Sequence, residues 1–155
     1  VTVLRFKDKY YYLCVIIDLF SRKIVAHRIS RRNSTQLITS TFRNAYAARQ
    51  PKAGLTFHSD QGSQYTSHAF RTLLEKLQVT QSFSKSGRPY DNAVAESFFS
   101  IFKKEEFYRT NYRSEKELYH GIDSYIAFYN QKRPHTTLKN KTPEQFETIF
   151  LQKSA

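Results

Sequence analysis

Residues 1–29 read VTVLRFKDKYYYLCVIIDLFSRKIVAHRI, and this stretch decides the fold. Val1–Phe6 and Tyr10–Ile17 are rich in β-branched and aromatic residues, which favour strands. Lys7-Asp8-Lys9 separates them as a turn, and Lys23–Ile29 continues with a similar composition. The pattern predicts an antiparallel meander of three strands.

Helices and short strands alternate after the meander. A helix is expected to begin at Asn33 or Ser34, and another is capped by Ser67. Leu55–Ser59 and Val79–Phe83 have the length and composition of short strands. We therefore expect an α/β fold in a single domain, residues 1–155. In it, the three-strand meander and two further strands form a mixed sheet flanked by helices.

The C-terminal third is predicted to be helical. Ser114 and Glu117 form one capping-box pattern, and residues 142–145 form a second one with Pro143 at the first helical position. Pro134 is expected to end the long helix near Arg133, because the residue before a proline disfavours helical geometry.

The composition favours a polyanionic partner. Lys and Arg total 25 against 13 Asp and Glu, giving a net charge of +12 with 15% aromatic residues. Such a balance is typical of nucleic-acid-binding proteins. A membrane role is disfavoured, because no segment approaches the ~20 apolar residues of a spanning helix. The single cysteine, Cys14, lies in an apolar run and predicts a buried thiol, compatible with a reducing cytosol.

Two acidic residues stand out against this basic background. Asp60 follows the predicted strand Leu55–Ser59, and ligand sites of α/β sheets lie beyond the carboxyl ends of strands. The alternative is a turn aspartate that bonds its own backbone two residues on. Glu96 is expected on a helix whose apolar face carries Phe98 and Phe102. Glu96 and Lys103 project the same way, which suits a metal ligand and a phosphate contact, or equally a solvated helix face.

Three motifs together resemble a known family. They are His58–Ser67 (HSDQGSQYTS), Ser86–Asn92 (SGRPYDN) leading to Glu96, and Tyr129–His135 (YNQKRPH). In this order they closely resemble bacterial insertion-sequence transposases of the retroviral-integrase-like class. Thirty-five residues separate the family's last two acids, and the same number, residues 61–95, separates Asp60 from Glu96.

The resemblance implies a ribonuclease-H-like fold and an Asp, Asp, Glu triad that binds two Mg²⁺ (or Mn²⁺) ions. Asp60 matches the second acid and Glu96 the third. Lys103 matches a basic residue that contacts the element's terminal DNA. Further DNA contacts are expected from the basic residues in or beside the motifs, namely Arg88, Lys104 and Arg133. The implied chemistry is hydrolysis of a phosphodiester followed by attack of the freed 3′-hydroxyl on another one.

The resemblance also implies partners and a place of action. The partners are the element ends and target DNA, on which the protein works as a homo-oligomer, in the bacterial cytoplasm and without a membrane. Three functions remain open from the sequence. They are a transposase or integrase catalytic core, a non-catalytic DNA-binding remnant, and a ribonuclease-H-like nuclease that cuts without joining.

The chain departs from the family at its first acid. The matching aspartate would directly precede Val1, so the sequence is interpreted as a core cut immediately after its first catalytic residue. Asp8 and Asp18 are the other acids that precede Asp60. Asp8 is expected in an exposed turn, and Asp18 is expected to cap a turn or pair with Arg22. Little strand cleavage or joining is therefore expected of these 155 residues alone.

Overall fold

The computed structural model describes residues 1–85 and 92–154. The strands are β1 (Thr2–Phe6), β2 (Lys9–Ile17), β3 (Ile24–Ser30), β4 (Thr56–Ser59) and β5 (Thr80–Phe83). The α-helices are α1 (Thr35–Arg49), α2 (Ser63–Thr66), α3 (His68–Lys76), α4 (Ala93–Phe102), α5 (Glu115–Gln131) and α6 (Pro143–Ser154). A π turn follows α4 at Lys103–Phe107, and a 3₁₀ turn covers Thr136–Leu138.

The chain divides into two units. The first comprises Val1–Ile16 and Val25–Ala95, and the second comprises Ile17–Ile24 and Glu96–Ala155. The expectation of a single domain stays a prediction. No helix among the described residues combines the length and the apolar composition needed to cross a membrane.

The predicted strands form as expected. β1 pairs antiparallel with β2 through a two-residue turn, Lys7-Asp8, in which both residues have positive φ (46° and 59°). Such turns match the right-handed twist of the strands that they join. β2 also pairs with β3, whereas β4 and β5 form a parallel pair. Within the described ranges, hydrogen bonds thus join the five strands as two sheets, where the sequence had predicted one mixed sheet.

Aromatic packing fills the core of the first unit. Phe42, Phe57 and Phe70 meet edge to face, with ring centroids 5.3 to 5.7 Å apart. Each such contact adds about 0.5–1.5 kcal/mol beyond the burial of area. Cys14 is 1% exposed, and burial raises the pKa of its thiol, which confirms the predicted buried cysteine. The buried cluster comprises Cys14, Leu37, Ile38, Phe42, Phe70, Leu73, Leu74 and Val79.

Helix caps follow the sequence closely. Ser34, Ser67 and Ser114 each accept a hydrogen bond from the backbone N–H three residues on. Thr142 and Gln145 form the reciprocal pair of a capping box, with N···O distances of 3.0 and 3.2 Å. An N-cap of this kind contributes about 1 kcal/mol. These four polar residues therefore set where α1, α3, α5 and α6 begin.

In the second unit, residues 17–24 are held against α5. The buried side chain of Asn130 accepts a hydrogen bond from the N–H of Ile24 (2.9 Å) and donates one to its carbonyl (3.0 Å). This satisfies both backbone groups of Ile24, which would be costly to bury unpaired. The buried apolar residues of the second unit include Phe98, Phe102, Leu118, Ile122, Tyr125, Ile126, Tyr129 and Leu138.

A glycine inside α5 admits a tyrosine ring. A Cβ at Gly121 would lie 2.5 Å from Cε1 of Tyr112, closer than any real contact. Tyr112 is 6% exposed, and its hydroxyl donates to Oε1 of Glu106 at 2.7 Å. The ring cannot swing aside without losing that bond. Glycine costs about 1 kcal/mol relative to alanine in a helix, and here close packing offsets this.

Gly121→Ala is expected to lower the free energy of unfolding by about 1–3 kcal/mol, because the added methyl overpacks the contact with Tyr112. Denaturant unfolding measures the change. In a Tyr112→Ala background the same substitution is expected to be neutral or stabilising by up to about 1 kcal/mol, since only helix propensity remains. An equal loss in both backgrounds would contradict the packing explanation.

Candidate active site

Asp60 lies in a turn directly after β4. Its Oδ1 accepts a hydrogen bond from the N–H of Gly62 at 2.8 Å, so the local interpretation of this residue as a turn aspartate is confirmed. A Cβ at Gly62 would lie 2.9 Å from the same oxygen, so any larger residue here would require the carboxylate to shift. Asp60 is exposed, and its Oδ2 has no hydrogen-bond partner among the residues that the structure describes. One oxygen thus fixes the turn and the other faces solvent.

Cross-strand bonds hold the end of β4 to the end of β5. His58 shares hydrogen bonds with Oγ of Ser82 (2.9 Å) and Oγ of Ser84 (3.1 Å) through its two ring nitrogens. The N–H of Ser84 donates to the carbonyl of Ser59 at 2.8 Å, and Nε2 of Gln61 donates to the carbonyl of Ser84 at 3.2 Å. The residues on both sides of Asp60 are therefore anchored to the neighbouring strand.

Sequence reasoning missed this role of His58. His58 and Ser82 are direct partners in the parallel register of β4 with β5. That register is a property of the sheet and is not visible in the pattern of either strand alone.

Glu96 lies in the first turn of α4 with its side chain exposed. On the opposite face, Phe98 and Phe102 are 1% and 0% exposed, so the predicted division of this helix into a polar and an apolar face is confirmed. Glu96 makes no hydrogen bond or ion pair with another described residue.

A π turn follows α4 and carries four charged residues in a row. Lys104 is exposed and Lys103 is half-buried, and neither forms an ion pair within the described part of the chain. Glu106 instead accepts hydrogen bonds from the hydroxyls of Tyr112 (2.7 Å) and Thr110 (3.1 Å). In this turn the glutamates thus accept hydrogen bonds, whereas the two lysines form no ion pair among the described residues.

Glu105 forms a two-pronged ion pair with Arg133 in the second unit. Nη2 of Arg133 lies 2.7 Å from its Oε1, Nε lies 3.0 Å from its Oε2, and the hydroxyl of Tyr125 donates to Oε2 at 2.8 Å. The hydrogen bonds from Arg133 lower the pKa of Glu105, with a further contribution from Tyr125. Burial and the hydrogen bond to Glu105 raise the pKa of Tyr125.

The predicted DNA contacts fall into three groups. Lys103 and Lys104 are available to a phosphate, as described above. The guanidinium of Arg133 is engaged by Glu105, so a phosphate would have to share or displace that carboxylate. Arg88 lies outside the described residues. All four remain predictions as DNA contacts.

The two acids among residues 1–30, Asp8 and Asp18, serve turns. Asp8 is exposed and pairs loosely with Arg5 at 3.4 Å. Oδ1 of Asp18 accepts hydrogen bonds from the N–H groups of Phe20 (2.9 Å) and Ser21 (3.2 Å), which confirms the predicted turn cap. Within residues 1–85 and 92–154, no three His, Cys, Asp or Glu side chains are grouped to hold a metal ion. Asp60 belongs to the first unit and Glu96 to the second, and a shared ion stays a prediction.

Glu105→Gln is expected to destabilise the protein by about 1 kcal/mol at pH 7, a value held low by solvent screening of a side chain that is 36% exposed. Because the pKa of Glu105 is lowered on folding from its ordinary value of 4.5, the pair stabilises the folded state above that pH. The stabilisation is lost as the pH falls through the folded-state pKa. Thermal unfolding from pH 7 to pH 3 should therefore show the variant and the parent converge.

Arg133→Lys keeps the charge but not the two-pronged geometry, so it is expected to lose nearly as much stability as Glu105→Gln at pH 7. A difference between Glu105→Gln and the parent that stayed constant down to pH 3 would contradict the assignment.

The sequence matches two family profiles, each described as "Integrase core domain", over residues 1–89 and 77–143. The chain is 40% identical over 142 residues to the transposase for insertion sequence element IS904 of Lactococcus lactis, covering 91% of this chain and 56% of that protein. It is 33% identical over 135 residues to the putative transposase InsK for IS150 of Escherichia coli, covering 87% of this chain and 48% of that protein. The chain thus spans about half the length of these curated relatives.

Solved structures agree on the fold. The HTLV-2 integrase catalytic core domain in complex with magnesium superposes with a TM-score of 0.73 at 19% identity, covering 94% of this chain and 90% of the other. The catalytic core domain of BIV integrase gives a TM-score of 0.69 at 16% identity, covering 99% and 95%. The ribonuclease-H-like fold implied by the motifs is therefore confirmed, and the chain belongs to the integrase core domain family.

Proposed function

We propose that this chain is the catalytic core of a bacterial insertion-sequence transposase, which cuts DNA strands and joins element ends to target DNA. The observation that carries the proposal is the exposure of both motif acids within the stretch that matches the family. Asp60 and Glu96 lie inside the matched residues 1–143, and neither is buried or held in an ion pair among the described residues. Both carboxylates are therefore accessible to a divalent cation, for which carboxylate oxygens are preferred ligands.

Asp60 and Glu96 are proposed to hold two Mg²⁺ or Mn²⁺ ions together with a further carboxylate. The donor chemistry fits, because Mg²⁺ prefers carboxylate oxygens and keeps several waters, and both side chains face solvent. The HTLV-2 core that shares the fold is described in complex with magnesium. When bound, the ions would polarise the phosphodiester and the attacking oxygen. The further carboxylate is not assigned among residues 1–59, because β1 carries no acidic residue and Asp8 and Asp18 serve turns.

The chain's own residues position the DNA. Lys103 and Lys104 are proposed to bind phosphates next to the cleavage point, since Lys103 lies two helical turns after Glu96, about 10 Å along the axis. Gly62 and the bonds of His58 keep Asp60 in place. Arg88 is proposed as a phosphate contact from its motif alone, and Arg133 as one that competes with its bond to Glu105.

The proposed partners are element ends, target DNA and further copies of the same protein. The related HTLV-2 core is described in dimeric and trimeric forms, and a simian T-cell lymphotropic virus integrase in an intasome. The place of action would be bacterial DNA in the cytoplasm.

In a chain extended by an Asp directly ahead of Val1 and by a region that recognises the element end, we expect Mg²⁺-dependent cutting and joining. Glu96→Gln in that protein is expected to slow both steps by about 10³-fold, because a lost metal ligand costs several kcal/mol of transition-state stabilisation. DNA affinity should not fall, since no phosphate contact is removed. Labelled element ends, scored for cleaved and for joined products, measure both steps.

Lys103→Ala provides the matched control. It should weaken DNA binding and make the plot of log affinity against log salt shallower by about 0.9, as for the loss of one phosphate contact. Cutting without joining by the extended protein would favour a nuclease. Full activity of the Glu96→Gln variant would contradict the proposal.

A further inference from the structure

Tyr108 presents an aromatic ring to solvent at the end of the π turn. The residue is 70% exposed, so it contributes little to the core. Its backbone is nevertheless fixed, because its N–H donates to the carbonyl of Lys103 at 2.9 Å. Its ring also contacts Phe107 (centroids 5.6 Å apart), which in turn packs against Phe102 and Tyr112. The exposed ring therefore stands on a rigid aromatic base.

The charges around this ring are cationic. Lys104 precedes Tyr108 by about one turn and Arg109 follows it directly, and both are exposed. The intervening acids bond elsewhere, because Glu105 pairs with Arg133 and Glu106 accepts from Tyr112 and Thr110. An exposed ring flanked by cations combines the two features that bind a single nucleic-acid strand. Phosphates contact the cations, and a base stacks on the ring.

We propose that Tyr108, with Lys104 and Arg109, forms a stacking site for an unpaired base of DNA. The proposal rests on DNA as the partner of this chain and adds single-strand recognition to it. The bases of a duplex are stacked on one another and offer no free face to the ring, so duplex affinity would come mainly from the cationic side chains. Lys104 and Tyr108 are separated by about one turn of the chain, so one strand can place a phosphate on the lysine and a base on the ring.

The test measures the affinity of the 155-residue chain for a 12-nucleotide oligo-dT strand that carries a central 2-aminopurine, and for a duplex of equal length. Tyr108→Ala is expected to weaken single-strand binding about tenfold and to abolish the fluorescence change that stacking gives. Tyr108→Phe keeps the ring and should retain both. Duplex affinity should change less than twofold in either variant.

Tyr10→Ala is the matched control, because Tyr10 is another tyrosine that is 55% exposed and lies next to a lysine, Lys9, in β2. It should leave single-strand binding unchanged. Unaltered single-strand binding by Tyr108→Ala would overturn the stacking site, as would an equal loss from Tyr10→Ala or an equal loss of duplex affinity. If the unaltered chain bound neither the single strand nor the duplex at any salt concentration, the proposed function itself would fail. If the chain bound the duplex, and its affinity for the single strand did not depend on the ring of Tyr108, only this inference would fail.

Discussion

The parallel pairing of β4 with β5 is the constraint on which the first unit's site depends. Parallel strands need a long crossover, here α2 and α3, and they end at the same edge of their sheet. Asp60 follows β4 at that edge. The ring of His58 and the amide of Gln61 extend the pairing beyond the ladder, by bonding to residues at and after the end of β5. An exposed carboxylate is thereby held on a short loop that has little freedom, as a metal ligand requires.

A second feature of the structure is the pairing of its charged side chains. The protein carries a net charge of +12, and several of its acids bond to neighbouring side chains in the folded state. Glu105 meets Arg133, and Glu147 accepts from Ser21 at 2.7 Å and pairs with Lys23 at 3.6 Å. Lys103 and Lys104 are left unpaired within the described residues. The cationic residues that would attract DNA are thus those that the fold leaves without an acidic partner.

The sequence predicted most local structure because caps and turns are local interactions. Ser34, Ser67, Ser114 and Thr142 start helices where the pattern indicated. The π turn was missed, since its i→i+5 bonding, as from Tyr108 to Lys103, leaves no clear periodicity. The short helix α2 was also missed, because Gly62 begins it without a side-chain cap.

Contacts that depend on tertiary structure were beyond prediction as well. The engagement of Arg133 by Glu105 joins residues that are 28 apart in the chain. The proposed metal ligands were identified from the family motif, because the local geometry is equally consistent with a turn aspartate and a solvated helix face. The most direct measurement is therefore the affinity for Mn²⁺, monitored through the paramagnetic signal of the free ion. It compares Asp60→Asn, Glu96→Gln and the double variant with the parent, and Glu75→Gln serves as a control at an exposed acid. Each single change should weaken binding at least about tenfold, and the loss in the double variant should differ from the sum of the two single losses, since both carboxylates would hold one shared ion. Unchanged affinity, or independent and additive losses, would contradict the two-carboxylate site.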